Sequence, residues 1–337
     1  MGIIAILSSP SSFMENDEMD KIRAVIADGS AIFHYEVERH KHIAEALARF
    51  EHAKVDAIII LGDRALTSAI FEHIIEKDIL KGVKIPLAIL PAGDNYIVAE
   101  SLGAIHAQPH MALKNILQIH KRGELLSRTY NYPLIKLEGV RGVGSLYGLF
   151  LCAGHITKKT KIFKDKISKK GILYRLRNWV NILLLIKNSY AAAMGKKNLE
   201  DAIRVNRNQR GAVVGHFFML LITTLDKTFW GVSIGRDDQV NDEGNKEQQN
   251  PQHKPLDKAH FISVENTPQA VWETGKLLMR GNYGGINHAG NVIAEIQHAR
   301  LVLNTPFVLD GSYYEADDTG ELFISVTEHM PFIKLGQ

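Results

Sequence analysis

Apolar residues fall along the first third of the chain in short unbroken runs, separated by stretches with helical spacing. Residues 3–7, 55–61 and 86–90 are such runs, rich in isoleucine and leucine. They stop at turn formers: Ser8, Ser9 and Pro10 after the first, Gly62 and Asp63 after the second, Pro91 and Gly93 after the third. Continuous rather than alternating hydrophobicity predicts strands buried on both faces, as in a parallel sheet. Residues 31–35 predict another strand. Between these runs Ile43, Ala46, Leu47 and Phe50 recur at helical spacing and predict a helix over 42–50. Residues 66–75 and 96–102 predict two more. Strand alternating with helix gives an α/β domain over residues 1–130.

Beyond residue 130 the pattern changes. Strands are predicted at 135–137, 146–152, 213–224, 230–234, 260–264, 298–303 and 322–326. Only 173–186 and 268–280 read as helices among them. This predicts a second domain over 131–337, mainly antiparallel and built from packed sheets. Residues 236–258 offer almost nothing to bury and read as a surface loop. No internal repeat is present.

Composition adds constraints. A chain of 337 residues, 45% hydrophobic and 23% charged, suits two ordinary cores. The only cysteine, Cys152, cannot form an internal disulfide, which fits a reducing cytoplasmic compartment. The apolar N-terminus lacks a basic flank and reads as a first strand rather than a signal peptide. No apolar stretch is long enough to span a bilayer. The net charge of +3 is unevenly spread. Lys158, Lys159, Lys161, Lys164, Lys166, Lys169, Lys170, Arg175 and Arg177 face a single acid, Asp165, and the basic bias continues to Arg210. Such a block fits an anionic partner, whether lipid headgroup, nucleotide phosphate or nucleic acid; a solvated face is the other reading. No aromatic interleaving points to nucleic acid.

In a parallel sheet, ligands bind beyond the C-terminal ends of the strands. Three turns lie there: Ser9-Pro10-Ser11-Ser12-Phe13, Leu61-Gly62-Asp63-Arg64-Ala65 and Pro91-Ala92-Gly93-Asp94-Asn95-Tyr96. Glycine permits close backbone approach to phosphate, and a following helix N-terminus offers free N–H groups. The histidines show no metal-ligand spacing, and there is no Walker lysine motif or nucleophile elbow.

The order of these turns resembles the diacylglycerol kinases, sphingosine kinases and their bacterial relatives. That family carries N-P-x-S-G, then G-G-D-G-T, then P-x-G-T-x-N-D-F-A-R-x-L-G, and near the C-terminus D-G-E. Here Pro10 and Ser12 match the first motif, Gly62 and Asp63 the second, and Pro91, Gly93, Ala99, Leu102 and Gly103 the third. Asp310-Gly311-Ser312 keeps the Asp-Gly of the last, and residues 166–186 resemble the family's basic helix region. The resemblance implies a Rossmann-like domain of the NAD kinase/diacylglycerol kinase kind and a C-terminal β-sandwich-like domain. It also implies ATP and Mg²⁺ in the cleft between them, and a lipid hydroxyl as acceptor. Residues 158–177 would then meet anionic lipid at the inner face of a membrane.

By the same precedent Asp63 is the candidate general base; alternatively it caps the next helix. Pro10, Ser12, Gly62, Arg64, Gly93, Asp310 and Gly311 are the candidate nucleotide-binding residues, and each is also explicable as a turn residue. Several positions depart from the family. Arg64 replaces a glycine, Ala65 a hydroxyl residue, Asp94 a threonine, Tyr96 and Ile97 the Asn-Asp pair, and Ser312 the glutamate. An added carboxylate opposes phosphate, while a guanidinium at Arg64 could grip it in compensation. Two functions follow: a lipid kinase, or a catalytically inactive relative that binds nucleotide or lipid as a regulator.

Overall fold

The computed structural model describes residues 2–13, 16–38, 40–104, 108–159, 202–208, 210–225, 258–280 and 291–336. The predicted strand at 230–234, the helix at 173–186, the loop at 236–258 and the basic segment beyond Lys159 lie outside them.

In chain order the first part runs β1 (Ile4–Ser8), α1 (Asn16–Ala27), β2 (Ile32–Glu36), α2 (Ile43–His52), β3 (Ala57–Leu61), α3 (Arg64–Ile75), β4 (Leu87–Ile89), α4 (Tyr96–Ser101) and α5 (Pro109–Lys121). Next come β5 (Thr129–Glu138), β6 (Leu146–Gly148), β7 (Phe150–Ala153), α6 (His155–Lys159), β8 (Ile203–Arg207), β9 (Arg210–Gly215), β10 (Phe217–Thr223) and β11 (Ala259–Glu265). The chain ends with α7 (Pro268–Arg280), β12 (Asn291–Ile296), β13 (His298–Val302), β14 (Phe307–Leu309), β15 (Ser312–Tyr314) and β16 (Glu321–Ile333).

β1 pairs in parallel with β2 and β3, and β3 with β4. Alternate residues of these strands serve two cores. Ala5, Leu7, Ile58, Ile60, Leu87 and Ile89 pack with Ile43, Leu47, Phe50, Ile70 and Phe71 of α2 and α3. Ile4, Ile6, Ala57, Ile59 and Ala88 pack with Met19, Ile22, Leu113 and Ile116 of α1 and α5 on the other face. Burial on both faces is what the unbroken apolar runs predict, and each buried isoleucine, leucine, phenylalanine or methionine among them contributes about 1.5–3 kcal/mol. Helices α1 and α5 stand outside the elements predicted above. Their signal is nevertheless present, in Met19–Ile22–Val25 spacing and in Pro109 at the first turn of α5.

The parallel strands do not end at β4. β16 pairs in parallel with it through Phe332 and Leu87, and further back along that same flank it pairs antiparallel with β13, while β5 runs along its opposite flank. The sheet then continues through β8 to β9, with β6 paired to β5 beyond β16, for ten strands among the described residues. The second sheet, of six strands, is antiparallel in the order β12-β11-β10-β7-β14-β15. Its inner face meets the antiparallel part of the first sheet in a core of Ile135, Leu137, Leu220, Phe261, Leu301, Phe307 and Leu322, among others.

Two apolar runs read above as single strands are corners where the chain changes sheet. Residues 146–152 split at Leu149 into β6 of the first sheet and β7 of the second, and residues 213–224 split at His216 into β9 and β10. Hydrophobicity alone hides such a break, because the apolar run continues through it: Val213 and Val214 of β9 are exposed although they are as apolar as the buried residues of β10. Among the described residues no helix is long and apolar enough to cross a membrane.

Candidate functional site

The turns after β1, β3 and β4 converge. Pro10 opens a single 3₁₀ turn ending at Ser12, whose hydroxyl oxygen accepts the N–H of Asp63 at 3.0 Å. Asp63 sits in extended conformation as the N-cap of α3, and its carboxylate accepts the N–H of Leu66 at 3.0 Å. This satisfies one of the donors that a helix start leaves bare. Gly93 has a φ of +56°, and a Cβ there would lie 2.9 Å from Cβ of Asp63, so only glycine lets the two turns touch. Asn95, fully buried, clamps them by donating its amide to the Gly62 carbonyl at 2.7 Å and to Thr67 Oγ1 at 2.6 Å.

The fourth segment arrives from the second sheet. Asp310 and Gly311 form the β14–β15 turn, with φ values of +49° and +98°. A Cβ on Gly311 would lie 3.2 Å from the carbonyl oxygen of Asp94. The Asp310 carboxylate accepts the backbone N–H groups of Leu149 and Phe150 at 2.9 and 2.8 Å. It thereby satisfies the donors left bare where the chain crosses between sheets. Burial pushes this carboxyl up from the ordinary range, opposed by the Arg64 guanidinium and by the two N–H donors.

Arg64 is only 1% exposed. Its Nε lies 3.5 Å from Asp310 Oδ2 and its Nη2 donates to the carbonyl of Tyr147. The outward guanidinium grip on phosphate entertained from the sequence is therefore not what this side chain does here: it turns inward, because Asp310 supplies the one buried counter-charge within reach. The backbone N–H of Arg64, first of α3, donates to Asp94 Oδ1 at 2.7 Å. The other Asp94 oxygen accepts the hydroxyl of Ser312.

The fold thus gathers Asp63, Pro10, Ser12, Gly62, Arg64, Gly93, Asp310 and Gly311 into one place. Sequence reasoning missed Asn95 as the clamp and Tyr147 as a partner. The first lay within the third motif and could have been read as a buried amide. The second acts through its backbone carbonyl, which leaves no trace in the sequence. Among the described residues no group of three or more His, Cys, Asp or Glu could hold a metal ion.

No protein-family model matches this chain, and no curated protein matches it. Solved structures do. One from Bacillus anthracis str. Sterne, of a protein provisionally named a diacylglycerol kinase, matches with a TM-score of 0.59 at 12% identity, covering 99% of this chain and 97% of that one. A second of the same description gives 0.58 at 11%, covering 98% and 97%. A third, of a diacylglycerol kinase from that organism, gives 0.56 at 12%, covering 99% and 97%. This chain has their fold. The likeness runs over nearly its whole length and accounts for a parallel sheet joined to antiparallel ones. At such identity it establishes architecture, and chemistry has to be argued from the side chains.

Proposed function

We propose that this is a lipid-kinase-like protein that has kept the fold without the phosphoryl transfer, and that it works by binding a lipid of the diacylglycerol or sphingoid kind. The carrying observation is the mutual burial of Arg64 and Asp310, each 1% exposed. The cation that would grip phosphate and the carboxylate that would reach the cleft from the second sheet neutralise each other. Phosphoryl transfer depends on positioned, uncommitted charge at the transferring group.

The N–H groups that would meet a nucleotide phosphate already have partners. Asp94 takes the N–H of Arg64 and Asp63 that of Leu66, both in the first turn of α3. The regulatory reading therefore carries further than the catalytic one. A working kinase with Asp63 as general base is the second reading, favoured by the partial exposure of Asp63.

The test is incubation of the full chain with labelled ATP, Mg²⁺ and diacylglycerol or sphingoid vesicles, alongside thermal melting with MgATP. The expected result is no labelled lipid and no shift at millimolar nucleotide, with vesicle binding retained. A ligand present at 100 times its dissociation constant would add about 2.7 kcal/mol, so a real nucleotide site would be seen. Labelled lipid, abolished by Asp63→Asn, would establish the kinase instead.

A further inference from the structure

We propose that Asp94 is a tethered anion, filling an oxyanion site of the protein's own making and thereby keeping phosphate groups out of it. The proposal rests on the non-catalytic reading above and names the device behind it.

The first N–H of a helix of 12 residues carries the positive end of its dipole, and an oxyanion is the natural partner. Asp94 Oδ1 takes that N–H at 2.7 Å, and Oδ2 takes the hydroxyl of Ser312 from the β14–β15 turn. One carboxylate thus joins donors from the two sheets, as a bound phosphate oxygen pair would. A separate observation marks the place as rich in donors. The buried Arg64 guanidinium keeps Nη1 without any hydrogen-bond acceptor. That unpartnered donor belongs to the same residue whose backbone N–H Asp94 takes.

The tether is short and stiff. Gly93 brings the loop to within 2.9 Å of Asp63, counted at a Cβ it does not have, and Asn95 pins the next residue to Gly62 and Thr67. A carboxylate fixed this way competes with free ligand as an intramolecular partner, at an effective concentration of millimolar order or above. It also repels a second anion.

The experiment compares native protein, Asp94→Ala and Asp94→Asn as full chains, with sodium tripolyphosphate and MgATP as probes. Binding is read by calorimetry and thermal melting, and folding by circular dichroism. Asp94→Ala is expected to bind tripolyphosphate at least about tenfold more tightly than native, a step equivalent to removing one close like charge. Asp94→Asn keeps the occupant's shape and is expected to gain less. A folded Asp94→Ala that binds no better than native overturns the proposal and leaves the non-catalytic reading standing. Native protein that binds MgATP tightly overturns both. Should Asp94→Ala fail to fold, Ser312→Ala, which releases one oxygen of the tether, is expected to gain tripolyphosphate affinity by a few-fold. No gain there overturns the proposal equally.

Discussion

Tyr147 donates its hydroxyl to Glu76 at 2.6 Å while its own N–H donates to Ser68 Oγ at 3.2 Å, so strand β6 is stitched along helix α3. Arg64 adds a third stitch through the Tyr147 carbonyl. The two parts of the molecule are thus joined along the whole length of one helix, from Arg64 at its start to Glu76 at its C-cap. The Glu76 carboxyl is held below its ordinary range, first by the Tyr147 hydroxyl and then by Lys136.

Removing that hydroxyl should loosen the seam. Tyr147→Phe is expected to cost about 1–2 kcal/mol, the range for a hydrogen bond to a charged acceptor that is itself partly solvated. The urea midpoint reads it. An unchanged midpoint would mean that Glu76 finds full compensation from Lys136, which lies 3.0 Å away.

The buried pair predicts a non-additive result. Arg64→Met leaves Asp310 buried without its cation, where the carboxyl must either stay charged unpaired or take up a proton, and should cost about 3–5 kcal/mol. The double variant Arg64→Met/Asp310→Asn should lose less than the two singles summed, because the neutral amide oxygen still accepts an N–H at the Leu149 corner. Denaturation of the four proteins completes the cycle. Strict additivity would remove the pair as a unit of stability.

Gly93→Ala tests the contact between turns. The new Cβ would meet Cβ of Asp63 at 2.9 Å, in a backbone conformation with φ +56° that costs an L-residue about 1 kcal/mol before any clash. A total loss of about 2–4 kcal/mol is expected in thermal melting, most of it steric. Gly142 is the control: its φ is +72° but nothing lies within 4 Å of the Cβ, so Gly142→Ala should lose only the conformational part.

His34 sets a pH dependence. Burial lowers its pKa from 6.5, against a raising influence of Glu36 and with a smaller lowering one from Arg23. Its Nε2 lies 2.8 Å from Ser8 Oγ. The folded value being the lower one, the unfolded chain takes up a proton first as pH falls. The stability tied to neutral His34 is therefore complete above the unfolded value and drains away as pH drops through it toward the folded one. Urea midpoints at pH 7.5 and pH 5 should fall further for native protein than for His34→Gln. Parallel slopes would remove His34 as the cause.

Much of the framework was legible in the residues because it rests on periodicity. The runs that become β1, β3 and β4 had no other way to bury both faces, and Pro91 and Gly93 marked where the third run had to stop. The turns of the site were legible for the same reason: a helix must start after each, and the motif order tied them together. What stayed hidden was the choice of partner. Arg64 could reach outward to a ligand or inward to Asp310, and nothing local distinguishes the two. The answer depends on a turn 246 residues later in the chain. The sheet-changing corner at Leu149 was hidden likewise, since the carboxylate that satisfies it is distant in sequence.

The position of β16 bears on how the chain reaches this state. It is the last of the described strands, yet it lies inside the sheet, with β5 along one flank and β4 and β13 along the other. While the ribosome is still working through the intervening residues, the nascent α/β layer emerges with the backbone donors and acceptors of β4 open to any passing strand. Closure of the β4 edge therefore waits on a strand about 240 residues downstream, and the edge stays open between the emergence of Leu87 and that of Phe332.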